Sequence, residues 1–157
     1  MNIVSVQYTL NNLSMDIYLS GCTRHCKGCH NYELWDFKEG TNYLDVLDGI
    51  TQRVKEFDIA IDNIMLLGGE PLDQDKEDLL YLTTYLYALG RPLWLFTGYE
   101  FKDVPTNLLR WYDYIKCGDY KEELACKDNI QYGISLATSN QKIYKKGVDY
   151  LCSQETL

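Results

Sequence analysis

Cys22, Cys26 and Cys29 are the residues whose type and spacing speak most directly of chemistry. They form a C-x3-C-x2-C set within Cys22-Thr23-Arg24-His25-Cys26-Lys27-Gly28-Cys29. A loop this compact can wrap one soft metal centre, and thiolates select zinc, copper(I) or iron–sulfur clusters. A closed structural zinc site takes four protein ligands, and His25 or His30 would have to be the fourth. A cubane cluster has four irons, so three cysteines leave one iron open to a small molecule. A ferredoxin-type carrier fits less well, because its fourth cysteine lies close by and the next one here is Cys117.

A second stretch, Gly68-Gly69-Glu70-Pro71, has its own physical reading. Two glycines let a backbone come close to a ligand. Glu70 offers a carboxylate to an ammonium group, and Pro71 stiffens the turn. The plain alternative is a strand-to-helix turn. Lys116 closes an apolar run and reads either as a contact for a carboxylate or as a solvated lysine. Cys117, Cys126 and Cys152 are too irregularly spaced for a second cluster and read as structural thiols. The 14 tyrosines read as mixed core and surface, some of them on a docking face.

These residues need a scaffold, and the pattern alternates strand and helix. Met15–Leu19, Asn63–Leu67, Leu93–Phe96 and Tyr112–Lys116 read as strands, with Gln141–Lys145 as a last one. Leu44, Leu47, Ile50, Val54 and Phe57 recur at helical spacing, which predicts a helix over about 42–57 capped by Thr41 or Asn42. Leu79, Leu82, Leu86 and Leu89 predict a second helix closed by Gly90. Thr106–Tyr112 is a short helical candidate, and 121–141 reads as mostly loop. Each strand ends in small residues: Ser20-Gly21, Gly68-Gly69, Thr97-Gly98 and Cys117-Gly118. Alternation of this kind predicts a parallel sheet with right-handed crossovers. Its carboxyl ends share one edge, where ligands bind. A complete eight-unit (β/α) barrel takes about 250 residues. A barrel in a chain of 157 residues is therefore incomplete.

Composition narrows the function classes. The chain carries 15 Lys and Arg against 23 Asp and Glu, a net charge of −8, which argues against a non-specific nucleic-acid binder. No apolar run reaches the roughly 18 residues of a membrane span. The N-terminus lacks the basic and apolar regions of a secretory signal. The expectation is a single cytoplasmic domain over 1–157, without a membrane or nucleic-acid partner. Cysteines there serve metal or redox chemistry before disulfides.

The cysteine loop after the first strand, with Gly68-Gly69-Glu70-Pro71 after the second, resembles the radical S-adenosylmethionine (SAM) superfamily. Gly28-Cys29-His30-Asn31, followed by Trp35, resembles its glycyl-radical-enzyme activases. Within them the chain is similar to the activators of anaerobic (class III) ribonucleoside-triphosphate reductases. Thr97-Gly98-Tyr99, Tyr114–Tyr120 with Glu122-Glu123-Leu124, and Thr138-Ser139-Asn140-Gln141-Lys142 carry that likeness, which spans about 14–145.

The resemblance implies a partial, TIM-like (β/α) barrel of the radical SAM type with parallel strands. It implies that Cys22, Cys26 and Cys29 hold one 4Fe–4S cluster whose open iron is chelated by SAM. Gly28, Cys29, His30, Gly68, Gly69, Glu70 and Pro71 would contact SAM, together with Lys116. Asn140 and Gln141 would contact SAM or the partner, or else build a turn. Reductive cleavage of SAM would yield a 5′-deoxyadenosyl radical that takes a hydrogen atom from a glycine of a large anaerobic ribonucleotide reductase subunit. Reduced flavodoxin is the kind of one-electron donor implied. A pyruvate formate-lyase type of target, or a non-enzymatic zinc or iron–sulfur module, are the rival readings.

Overall fold

The computed structural model describes residues 1–151. Nine strands are described: β1 (Asn2–Thr9), β2 (Ser14–Leu19), β3 (Thr41–Asn42), β4 (Asn63–Gly68), β5 (Leu93–Phe96), β6 (Tyr114–Cys117), β7 (Ile130–Gln131), β8 (Ile134–Ser135) and β9 (Lys142–Lys145). The helices are α1 (Leu47–Glu56), α2 (Lys76–Tyr87) and α3 (Thr106–Leu109). One seven-stranded sheet has the order β3-β1-β2-β4-β5-β6-β9, and β7 and β8 form a separate hairpin.

The barrel expectation is overturned by this sheet. Only β2, β4, β5 and β6 run parallel. β1 is antiparallel to both β2 and β3, and β9 is antiparallel to β6. A parallel connection needs a dozen or more residues. The link over 10–13 is a tight turn instead, with Leu13 in the left-handed region (φ 46°) and its N–H donated to the Leu10 carbonyl. At the other side, 118–141 carries a 3-10 turn (Glu122–Leu124) but no α-helix and returns to the sheet antiparallel, with Lys116 opposite Ile143. Neither edge continues the β/α repeat, so the sheet is mixed and carries few helices.

The predicted elements otherwise fall close to their places. The first helix begins later than its periodicity implied, because Asn42 accepts the Leu44 N–H and caps a 3-10 turn (Tyr43–Asp45) before α1. Asp75 caps α2 by accepting the N–H groups of Glu77 and Asp78. Such a cap satisfies donors that the helix itself leaves free. Gly90, at φ 72°, donates its N–H to Tyr87 and ends the turn after α2. The third helix is shorter than expected, and β1, β3, β7 and β8 correspond to no predicted strand.

Side chains alternate across the sheet. Ile17, Leu19, Ile64, Leu66, Leu93, Leu95 and Ile115 pack with Leu47, Ile50 and Val54 of α1 and Leu79, Leu82 and Leu86 of α2. The opposite face buries Met65 and Trp94 against Leu136 and Ile143, with Leu67, Phe96, Tyr114 and Ile134 around them. Central strands covered on both faces account for the unbroken apolar runs of β4 and β5. No helix among the described residues is long and apolar enough to cross a membrane.

Candidate functional site

The carboxyl ends of β2, β4, β5 and β6 lie along one edge, and the loops that leave them are tied together by hydrogen bonds. The cysteine loop leaves β2 beside the Gly68-Gly69-Glu70-Pro71 loop, since Leu19 pairs with Gly68. The two touch backbone to backbone: the Glu70 N–H donates to the Gly21 carbonyl at 2.8 Å and the Gly69 N–H to the Leu19 carbonyl at 2.8 Å. A Cβ on Gly69 would lie 2.4 Å from the Gly21 oxygen, so only glycine permits this approach. Pro71 is buried and opens a 3-10 turn (Pro71–Asp73). Gln74 donates from Nε2 to the carbonyls of Ser20 (2.9 Å), Gly21 (3.3 Å) and Glu70 (3.2 Å), stitching both loops from below.

Cys22 is buried, whereas Cys26 and Cys29 are partly exposed, and all three are free thiols. Burial pushes the Cys22 thiol up, and the charges of Glu70 and Asp73 add to that push. A bound cation reverses this, because a metal deprotonates its thiol ligands. The turn between the last two cysteines is set by the Cys29 N–H donating to Cys26 and by Gly28 at φ 73°. The Cys29 sulfur also accepts the Asn31 N–H at 3.4 Å. Residues between the cysteines are anchored individually. Asp73 accepts both the N–H and the hydroxyl of Thr23 at 2.7 Å, His25 stacks on Trp35, and His30 packs against Tyr120.

Glu70 is only 1% exposed. Its carboxylate accepts the Thr97 hydroxyl (2.7 Å), the Gly98 N–H (2.7 Å) and the Leu72 N–H (3.0 Å). Burial raises its pKa, opposed by these three donors. A carboxylate has about four acceptor positions, and these donors fill three of them. Lys116 is partly buried rather than solvated, and its ammonium donates to the Gly118 carbonyl at 2.7 Å. Burial lowers it to about 8, against the pull of Glu70.

A cavity of about 400 Å³ opens at this edge on the helix-free face, lined by Asn31, Gly68, Gly69, Thr97, Gly98 and Lys116. Asp16, Tyr18 and Met65 continue its wall further down the strands. This size lies within the range of small-molecule sites. A second cleft of about 600 Å³ separates the first half of the cysteine loop from Tyr99 and 119–123.

The donor set fits an iron–sulfur cluster: three soft thiols on one loop, of which Cys26 lines the cleft of about 600 Å³. The cavity offers main-chain groups of the β4 and β5 loops and the Lys116 ammonium. No three His, Cys, Asp or Glu side chains among the described residues group tightly enough to chelate a single ion. A cubane does not ask for that, since each cysteine binds a different iron.

The predicted residues Cys22, Cys26, Cys29, Gly28, His30, Gly68, Gly69, Glu70, Pro71 and Lys116 therefore gather on one edge. Asn140 and Gln141 lie at its rim in a turn: Gln141 Oε1 accepts the N–H groups of Ala137 (3.1 Å) and Thr138 (3.3 Å). Cys117 is buried, Cys126 partly so, and Cys152 lies outside the described residues. Sequence reasoning missed Arg24, Asp73, Gln74 and Asp119. Their signal was a polar residue one to five places after a strand-end turn, where only the meeting of loops gives it a partner.

The matches to known proteins agree with this geometry. The chain belongs to the family described as 4Fe-4S single cluster domain, whose model matches residues 13–144. More particularly, it is similar to three curated proteins named anaerobic ribonucleoside-triphosphate reductase-activating protein. The one from Enterobacteria phage T4 is 28% identical over 116 residues, covering 71% of this chain and 73% of its own. Those from Haemophilus influenzae (28% over 136 residues) and Escherichia coli K12 (27% over 135 residues) each cover 82% of this chain and 85% of their own. No solved structure matches the chain significantly.

Proposed function

We propose that this chain is a radical SAM activating enzyme that installs a glycyl radical on an anaerobic ribonucleoside-triphosphate reductase. The observation that carries the reading is the backbone pairing of the C-x3-C-x2-C loop with Gly68-Gly69-Glu70-Pro71, whose two glycines line the cavity. The names of the similar proteins support the choice of partner. Cys22, Cys26 and Cys29 would hold the 4Fe–4S cluster.

When bound, cluster and SAM would supply the chemistry: one-electron reductive cleavage of the C5′–S bond by an external donor of the flavodoxin kind, with release of methionine and transfer of a glycine Cα hydrogen atom of the partner to the 5′-deoxyadenosyl group. The chain's own residues bind and orient. Gly68 and Gly69 line the cavity and would present main-chain groups to SAM, while Glu70 beneath them would attract its amino group. Lys116 faces the same cavity and complements its carboxylate. The backbone of Gly28, Cys29 and His30 would line the adenine side. A radical step demands that water be kept out. The apolar wall of Met65, Leu67 and Phe96 serves that end.

The test is anaerobic reconstitution with iron and sulfide, then reduction with SAM present and absent partner, then with the reductase. The expected results are 5′-deoxyadenosine and methionine, and a glycyl radical signal by electron paramagnetic resonance on the reductase. A fully loaded protein that cleaves no SAM would refute the reading. A signal on a pyruvate formate-lyase type enzyme instead would change the target.

A further inference from the structure

We propose that Arg24 tunes the metal centre: its fixed charge makes the cluster easier to reduce, and Asp119 opposes it. The inference rests on the reading that Cys22, Cys26 and Cys29 hold a 4Fe–4S cluster. Arg24 stands midway between Cys22 and Cys26 in sequence. Its guanidinium lies 3.5 Å from the Asp119 carboxylate and 4.5 Å above the centre of the Tyr99 ring. Its Nε is shielded from water and has no hydrogen-bond partner. A Cβ on Gly98 would meet that Nε at 2.7 Å, so the guanidinium is packed against the main chain of the β5 loop. The side chain is 24% exposed. Asp119 is held in turn by the Asn140 amide, which donates to its carbonyl at 3.0 Å.

Position and burial give these two charges their effect. Adding one electron to the cluster adds one negative charge. A fixed cation nearby stabilises the reduced form, and a fixed anion destabilises it. Net charge and solvent exposure are among the levers that set cluster potentials. A partly desolvated charge acts more strongly than a screened one. The same loop contains its own control. Lys27 also pairs with a carboxylate, that of Glu122 at 3.6 Å, but its side chain is 92% exposed and solvent screens it. Arg24 is thus a positioning residue for the loop and a charge for the cluster, while Lys27 is neither.

The experiment is a potentiometric titration of the SAM-free, reconstituted protein, followed by the electron paramagnetic resonance signal of the reduced cluster. Iron and sulfide content is measured first for every variant. Arg24→Gln shifts the midpoint to lower potential and Asp119→Asn to higher potential. Arg24→Lys, which keeps the charge, and Lys27→Gln stay near the wild type. A merely structural role predicts that breaking the pair from either side shifts the midpoint the same way. That result, or no shift in either variant, overturns the inference. If Arg24→Gln does not load, Asp119→Asn and Arg24→Lys decide, and a downward or absent shift in Asp119→Asn overturns it. A wild type that takes up no cluster refutes the reading of the cysteines, and this inference falls with it.

Discussion

The buried carboxylate of Glu70 accepts the Thr97 hydroxyl at 2.7 Å, so the loop after β4 is fastened to the loop after β5 by a charged group inside the protein. Its second oxygen takes the Gly98 N–H at the same distance. Removing such an acceptor strands its donors. Glu70→Ala is expected to destabilise the cluster-free protein by about 3 kcal/mol, read by urea denaturation. Glu70→Gln should cost less but still more than 1 kcal/mol or so, because an amide NH2 placed at the second oxygen would face the Gly98 N–H. Equal stability of all three proteins would show the tie to be energetically idle.

Lys116 gives a pH dependence with a definite sign. Its folded pKa is lowered to about 8 from the ordinary 10.5. The unfolded chain therefore binds the extra proton between those values, and stability rises with pH across that window. The contribution is fully present above the unfolded pKa and lost as pH falls through the folded one. Lys116→Met removes the group. The stability difference, wild type minus variant, should grow from about pH 8 to pH 10.5. A flat difference in paired denaturation curves would contradict this assignment.

Asp73 accepts from Thr23 twice and from the Tyr99 hydroxyl at 2.7 Å, joining the cysteine loop to the β5 loop. Asp73→Asn is expected to cost about 1–3 kcal/mol. It should also speed the loss of iron to a chelator, measured by the absorbance of the released complex. Loss of stability without faster iron release would limit Asp73 to the fold.

Each of Cys22→Ala, Cys26→Ala and Cys29→Ala is expected to abolish SAM cleavage, with iron and sulfide content falling well below the wild type. Cys126→Ala and Cys117→Ala should keep both. Retained SAM cleavage in any of the first three would remove that thiol from the ligand set.

Gly69→Ala tests the close main-chain approach of the two loops. The added Cβ at 2.4 Å from the Gly21 oxygen must push two main chains apart. The expected cost is about 1–3 kcal/mol, with SAM cleavage slowed roughly 100-fold by misplacement of the loop. Product formation by chromatography and thermal melting would check both.

Much of this was legible in the residues. The apolar runs at Ile64–Leu67 and Leu93–Phe96 announce buried strands, and the small residues that follow them mark one edge. Cys22, Cys26 and Cys29 announce soft-metal chemistry by count and spacing alone. The pairing direction of the outer strands was not legible. Periodicity describes one element at a time, and whether β9 lies parallel or antiparallel depends on the path of 118–141. The turn through Asn11 and Asn12 was the local sign that β1 and β2 are antiparallel, and it outweighs the β/α rhythm of the middle of the chain. Arg24 and Asp119 are 95 residues apart in sequence (119 − 24), and neither is unusual until the loops meet.

The contact between Gly21 and Gly69 has a bearing on how this protein can change. Most damaging substitutions in a core admit a second-site remedy, in which a neighbour shrinks or turns aside. Here the neighbour is a carbonyl oxygen of the main chain, which every amino acid carries. No exchange at position 21 makes room for a side chain at position 69. Library searches for suppressors of Gly69→Ala should therefore recover reversion at position 69 and nothing at position 21.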